Sequence, residues 1–231
     1  MKNWTYNLIK GIVKLFIKKP EIYCAEDLNN IRSAIFVSNH VGFFAPLVIN
    51  LYVDMKFIPW VIHDITDKKL CKKYINSDFT EPQLKLRPPL SQIVSSIISP
   101  ICVSIMKYLN AIPVYKGSQK ISDTILLTLD RLKEGHNILI FPEDRNKKYN
   151  DVLDKFNTGF INVAKMYFKE YGELISFYPV CVNKNQNRIA IGKKIVYDPN
   201  ISYKIERERI ANYLMESISG MYYNIQCDED V

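Results

Sequence analysis

Two kinds of apolar pattern alternate along this chain. Continuous apolar runs at residues 33–38, 57–62, 111–115, 137–141 and 175–182 are short, rich in Ile, Val and Phe, and read as buried strands. Residues 188–197 read as a further strand. Between the runs, apolar residues recur at helical spacing over residues 46–55, 120–134, 159–171 and 203–224. Pro46 suits a first helical turn, where its missing N–H costs nothing. Ile121, Ile125, Leu129 and Leu132 mark the core face of the second helix. Gly135 and Gly172 follow the second and third as stops. Strands alternating with helices imply an α/β fold with a central, mostly parallel sheet flanked by helices.

Two segments depart from this alternation. Residues 64–88 are polar, charged and proline-containing, and read as an irregular excursion or a short helical insertion. Residues 88–106, between Arg87 and Lys107, carry no charge. Their length approaches a membrane span, but prolines, serines and a glutamine interrupt them. A buried or membrane-apposed helix, kinked at Pro100, is the better reading.

The first twenty residues contain Lys2, Lys10, Lys14, Lys18 and Lys19 and no acid. Trp4, Leu8, Ile9, Ile12, Val13, Leu15 and Phe16 recur at helical spacing beside the lysine stripe. The lysines break any signal-peptide core, and no small-residue cleavage site follows. Residues 1–20 are therefore expected to form an amphipathic helix, able to lie in an anionic membrane interface or to pack on its own domain. Residues 21–231 form the α/β domain. At 231 residues the chain has length for one domain with a small appendage.

Composition narrows the partners. The formal net charge is +7, which suits an anionic partner such as a membrane surface or a phosphorylated substrate. Nucleic acid would be the third such partner, but no helix-turn-helix, RNA-recognition or zinc-finger pattern occurs, so none is expected. Five cysteines without a CxxC pair suggest neither a zinc site nor a disulfide framework, and favour a reducing cytoplasm. His40, His63 and His136 are too scattered to imply a metal site.

The candidate chemistry gathers where strands end, the place at which open α/β sheets bind ligands. Asn39-His40 leaves the first strand, Lys116-Gly117 follows Ile112-Pro113-Val114, and Pro142-Glu143-Asp144-Arg145 leaves the strand at 137–141. One histidine, two cations and two carboxylates on one rim would suit acyl transfer, with the histidine as base and the cations on a phosphate. A lone histidine is more often structural, and its strand-end position alone raises the case only modestly.

These residues also carry a resemblance. Asn39-His40-Val41-Gly42-Phe43-Phe44-Ala45-Pro46, Ala111-Ile112-Pro113-Val114-Tyr115-Lys116, Phe141-Pro142-Glu143-Asp144-Arg145-Asn146 with Phe156-Asn157-Thr158-Gly159, and Tyr178-Pro179-Val180 stand in that order along the chain. They resemble the four motifs of the glycerolipid acyltransferase family, of the lysophosphatidic acid acyltransferase type. The resemblance implies an α/β domain, peripheral or monotopic at the cytoplasmic face of the cell membrane, with membrane lipids as partners. It implies transfer of a fatty acyl group from acyl-CoA or acyl carrier protein to a lysophospholipid hydroxyl, with no cofactor or metal. His40 would be the base, and Asn39, Gly42, Lys116, Glu143 and Arg145 would bind substrate. Aligned without a gap, however, the third motif puts Asn146, not Arg145, at its arginine position. The family's aspartate, five residues after the histidine, is replaced by Ala45, which can neither orient nor stabilise an imidazolium. Asp144 is the first candidate to stand in. The alternative is a catalytically impaired relative that binds lipid without turnover.

Overall fold

The apolar runs become strands because a sheet covered on both faces accepts β-branched and aromatic residues at successive positions. The computed structural model describes residues 1–115, 120–143 and 157–223. Its elements are α1 (Asn3–Phe16), β1 (Glu21–Cys24), β2 (Ala34–Ser38), α2 (Phe44–Tyr52), β3 (Phe57–Ile62), α3 (Lys68–Ile75), α4 (Leu90–Tyr108), β4 (Ile112–Val114), α5 (Ile121–Lys133), β5 (Asn137–Ile140), α6 (Asn162–Tyr171), β6 (Ser176–Asn183), β7 (Arg188–Ile191), β8 (Ile195–Val196) and α7 (Tyr203–Tyr223). They fall into two compact units, one of residues 1–10 and 58–124, the other of residues 11–57 and those from 125 onward.

In the larger unit the strands lie in the order β1-β7-β6-β2-β5, with β8 also paired to β6. β2 is parallel to both β5 and β6, and β1 to β7, while β7 and β8 run antiparallel to β6. All five residues of β2 are buried. The core around it contains Phe36, stacked on Tyr178 at 4.8 Å, with Ala45, Val48, Ile49, Leu139 and Val182. Proline inside a central strand normally removes a ladder bond. Pro179 escapes this because its carbonyl accepts from Gly192 N–H at 2.9 Å on the β7–β8 edge. Its missing N–H faces the same edge, between the segments of β6 that β8 and β7 pair. Gly192 is required there, since a Cβ would stand 2.9 Å from Pro179 Cγ.

In the smaller unit β3 and β4 form a parallel pair, Trp60 to Ile112 through Ile62 to Val114. The polar excursion is mostly helical. A 3-10 turn at His63–Ile65 leads into α3, capped by Asp67, and a π-helical turn follows at Asn76–Thr80. The uncharged segment is the single helix α4, with Pro100 inside it.

Other sequence expectations need correction. β1 was not foreseen, residues 188–197 divide into two short strands, and the helix expected from residue 159 opens as a 3-10 turn at Thr158–Ile161. On α5 the buried line runs through Thr124, Thr128, Leu129 and Leu132, whereas Ile121 is exposed.

Two buried phenols in the larger unit set an alkaline limit. Burial, then the hydrogen bond and charge of Glu173, pushes Tyr167 up to about 12. Burial, then the charge of Glu26, does the same to Tyr178. A group whose pKa is raised on folding lends its stability below its unfolded value and loses it above. The midpoint of urea unfolding should therefore hold up to about pH 10, the free tyrosine value, and fall as pH rises towards about 12. Tyr178→Phe should flatten part of that fall, and a midpoint unchanged across this window would contradict the assignment.

Candidate active site

β2 ends on a side chain that behaves like a peptide group. The β2–β6 ladder runs as far as Ser38 opposite Val180. Asn39 then continues it with its amide: Nδ2 donates to the Val182 carbonyl at 2.9 Å and Oδ1 accepts from Val182 N–H at 2.8 Å. Asn39 is fully buried. Its side chain thus holds the sheet end together while the backbone is released to turn. Asn137 does comparable work at the opposite end of the sheet, where its amide accepts from Ala34 N–H at 3.1 Å and donates to the Ile31 carbonyl at 2.8 Å.

His40 is the next residue out. Its backbone N–H donates to Glu143 Oε1 at 2.8 Å, so the end of β2 is tied to the chain leaving the neighbouring β5. The imidazole meets the Phe141 ring edge-on at 5.0 Å, and Nδ1 is sealed from solvent. Val41 and Gly42 then turn the chain with φ of 42° and 63°. Positive φ is natural for Gly42 but strained for a β-branched residue, at a cost of about 1–3 kcal/mol. The Val41 carbonyl accepts from Phe44 N–H at 3.3 Å, and α2 begins. This turn sets the backbone next to the histidine in a conformation it would not take alone.

Ala45 lies in the first turn of α2, wholly buried in the apolar cluster with Phe36, Val48 and Phe57. Of the residues singled out from sequence, the fold brings Asn39, His40, Gly42 and Glu143 together at the carboxyl ends of β2 and β5. Lys116, Asp144 and Arg145 lie outside the described residues. Phe141, named in the third motif without a role, packs its ring on His40. The backbone of Val182, which holds the Asn39 amide, carries no sequence signal. Among the described residues, no three His, Cys, Asp or Glu side chains gather as a metal ion would need.

The mostly parallel α/β sheet flanked by helices has the architecture of the acyltransferase fold. Over 94% of its length the chain resembles the crystal structure of the 1-acyl-sn-glycerophosphate (LPA) acyltransferase, PlsC, from Thermotoga maritima, with a TM-score of 0.55, 13% identity and 78% of that chain covered. The likeness is one of fold. By sequence, the chain matches no family model and no curated protein.

Proposed function

We propose that the chain transfers a fatty acyl group from a thioester donor, acyl-CoA or acyl carrier protein, to the hydroxyl of a lysophospholipid or related glycerolipid. Catalysis takes place at the cytoplasmic face of a membrane and serves phospholipid synthesis or remodelling. The observation that carries this reading is the seat of His40, clamped through Asn39 to β6 and through its own N–H to Glu143. His40 takes the proton of the acceptor hydroxyl. The oxygen attacks the thioester carbonyl, and the tetrahedral intermediate collapses to an ester. The thiolate leaves and recovers the proton from the imidazolium. Lys116 and Arg145, and Asp144 in place of the missing aspartate, complete the site in this proposal. The test is release of free thiol and formation of phospholipid from a long-chain acyl-CoA and lysophosphatidate by the purified chain.

A second reading is favoured by one observation, the apolar burial of Ala45 where the resemblance expects a carboxylate. In it the chain binds lipid without turnover. Thiol release above the uncatalysed rate that requires His40 would exclude it.

The role of Lys116 has its own test. A lost charge-assisted hydrogen bond to phosphate costs about 1.5–3 kcal/mol. Lys116→Ala should thus raise KM for a phosphorylated acceptor by about 10–150-fold with a smaller change in kcat. An equal loss with an uncharged acceptor would remove the phosphate contact.

A further inference from the structure

The first half of α4 buries serines and exposes aliphatic side chains. Its inner face carries Ser91, Ser95 and Ser99, all buried, and turns apolar towards its end, where Ile98, Cys102 and Val103 pack with Cys71 and Ile75. The serines meet polar groups: Ser95 Oγ donates to Asn76 Oδ1 and Ser91 Oγ to Glu81 Oε1, both at 3.4 Å, while Asn76 Nδ2 donates to Glu81 Oε1 at 2.6 Å. Cys71 Sγ on α3 reaches the Ser99 carbonyl at 3.7 Å. The opposite face carries Leu90, Ile93, Ile97 and Ile101, a single ridge at helical spacing, and all four are exposed. A helix folded against water places its isoleucines inward and its serines outward. Single exposed apolar residues are ordinary, but a continuous apolar ridge on a helix that buries three serines calls for an apolar medium outside.

We infer that α4 lies along one leaflet of an anionic bilayer, with Leu90, Ile93, Ile97 and Ile101 in the acyl region and the serine face turned to the protein. Nineteen residues make a helix of about 28 Å, close to the thickness of the hydrocarbon core. Length therefore does not decide between crossing and lying flat. The inner face decides, because it is occupied along the helix by α3 and the π-helical turn. Cations stand at both ends, with exposed Lys85 and Arg87 before the helix and Lys107 in its last turn. They are placed for anionic headgroups, and the uncharged stretch between them is placed for lipid. The start of α1 adds to the same unit. Tyr6 stacks on Tyr108 at 4.3 Å and Asn3 accepts from the Tyr108 hydroxyl at 2.7 Å, leaving Trp4 and Leu8 exposed. This inference deepens the membrane placement proposed above, and rests on that reading only for the identity of the acceptor.

The experiment uses the full chain and flotation with vesicles of phosphatidylcholine, alone or mixed with phosphatidylglycerol. Wild type should bind the mixed vesicles more strongly than the neutral ones. Ile93→Glu with Ile97→Glu should lower binding by at least about tenfold, since two apolar contacts with lipid are replaced by charges. Ile93→Ser with Ile97→Ser should lower it less, and serves if the glutamates disturb folding, which a thermal melt reports. Acyl transfer to a short-chain, water-soluble acceptor should be unchanged in both. Variants that bind as wild type does, or equal wild-type binding to the two vesicle types, would overturn the inference. So would a wild-type dimer that the substitutions dissociate while vesicle binding persists, because the ridge would then be a self-association surface. Vesicle binding as expected from a chain that acylates no acceptor would instead remove the functional reading and leave this one standing.

Discussion

His40→Ala is expected to lower the rate of acyl transfer by about 10²–10⁴-fold, the usual contribution of a general base. The loss should be chemical and not structural. The bond to Glu143 comes from the His40 backbone, and the Asn39 clamp precedes it, so both survive the substitution. Circular dichroism and the unfolding midpoint should accordingly change little, while initial thiol release from acyl-CoA in the presence of lysophosphatidate collapses. Full acyl transfer by His40→Ala would refute the proposed mechanism. If wild type and variant are both silent with every acyl-CoA and acyl carrier protein tried, yet both retain lipid, the second reading is the correct one.

The largest effect on stability is expected one residue earlier. Asn39→Ala leaves the N–H and the carbonyl of Val182 without the amide that satisfies them in a fully buried position. Each such group costs about 1–3 kcal/mol, so the variant should lose about 2–6 kcal/mol. That is a large part of the about 5–15 kcal/mol by which a domain of this kind is stable. Asn39→Asp should not rescue it, because a carboxylate would turn an oxygen towards the Val182 carbonyl and bury a charge. Chemical denaturation measures both. A shift below about 0.5 kcal/mol for Asn39→Ala, the range of ordinary surface changes, would show that the clamp contributes nothing.

What could be read beforehand follows from how local each signal is. The strand Phe57–Ile62 was legible to the residue, because its apolar run is bounded on both sides by polar residues. β1 was not, since Glu21–Cys24 is short and mostly exposed and becomes a strand only by pairing with β7, far along the chain. The lack of charge in residues 88–106 was plain, but the serine face of α4 gains meaning only once Asn76 and Glu81 are folded beneath it. His40 and Glu143 were marked by motif, and the fold joins them by a hydrogen bond. The structural use of Asn39 was not: the resemblance implied substrate binding, and the bonds of its amide to Val182 form only when β6 is in place. The strain at Val41 was equally hidden, because nothing in a valine announces a positive φ.

The distance along the chain between Asn39 and its partner also orders events during synthesis. Val182 lies 143 residues beyond Asn39. At a ribosomal pace of about 5–20 residues per second, roughly 7–30 s separate the two. In that interval α1 with its lysines, and then α4 with its apolar ridge, have already left the ribosome, while β2 still lacks the strand that closes one side of it. Both helices are therefore made before the end of β2 is closed against β6. His40 is made early, and the Asn39 clamp beside it closes late, when β6 arrives.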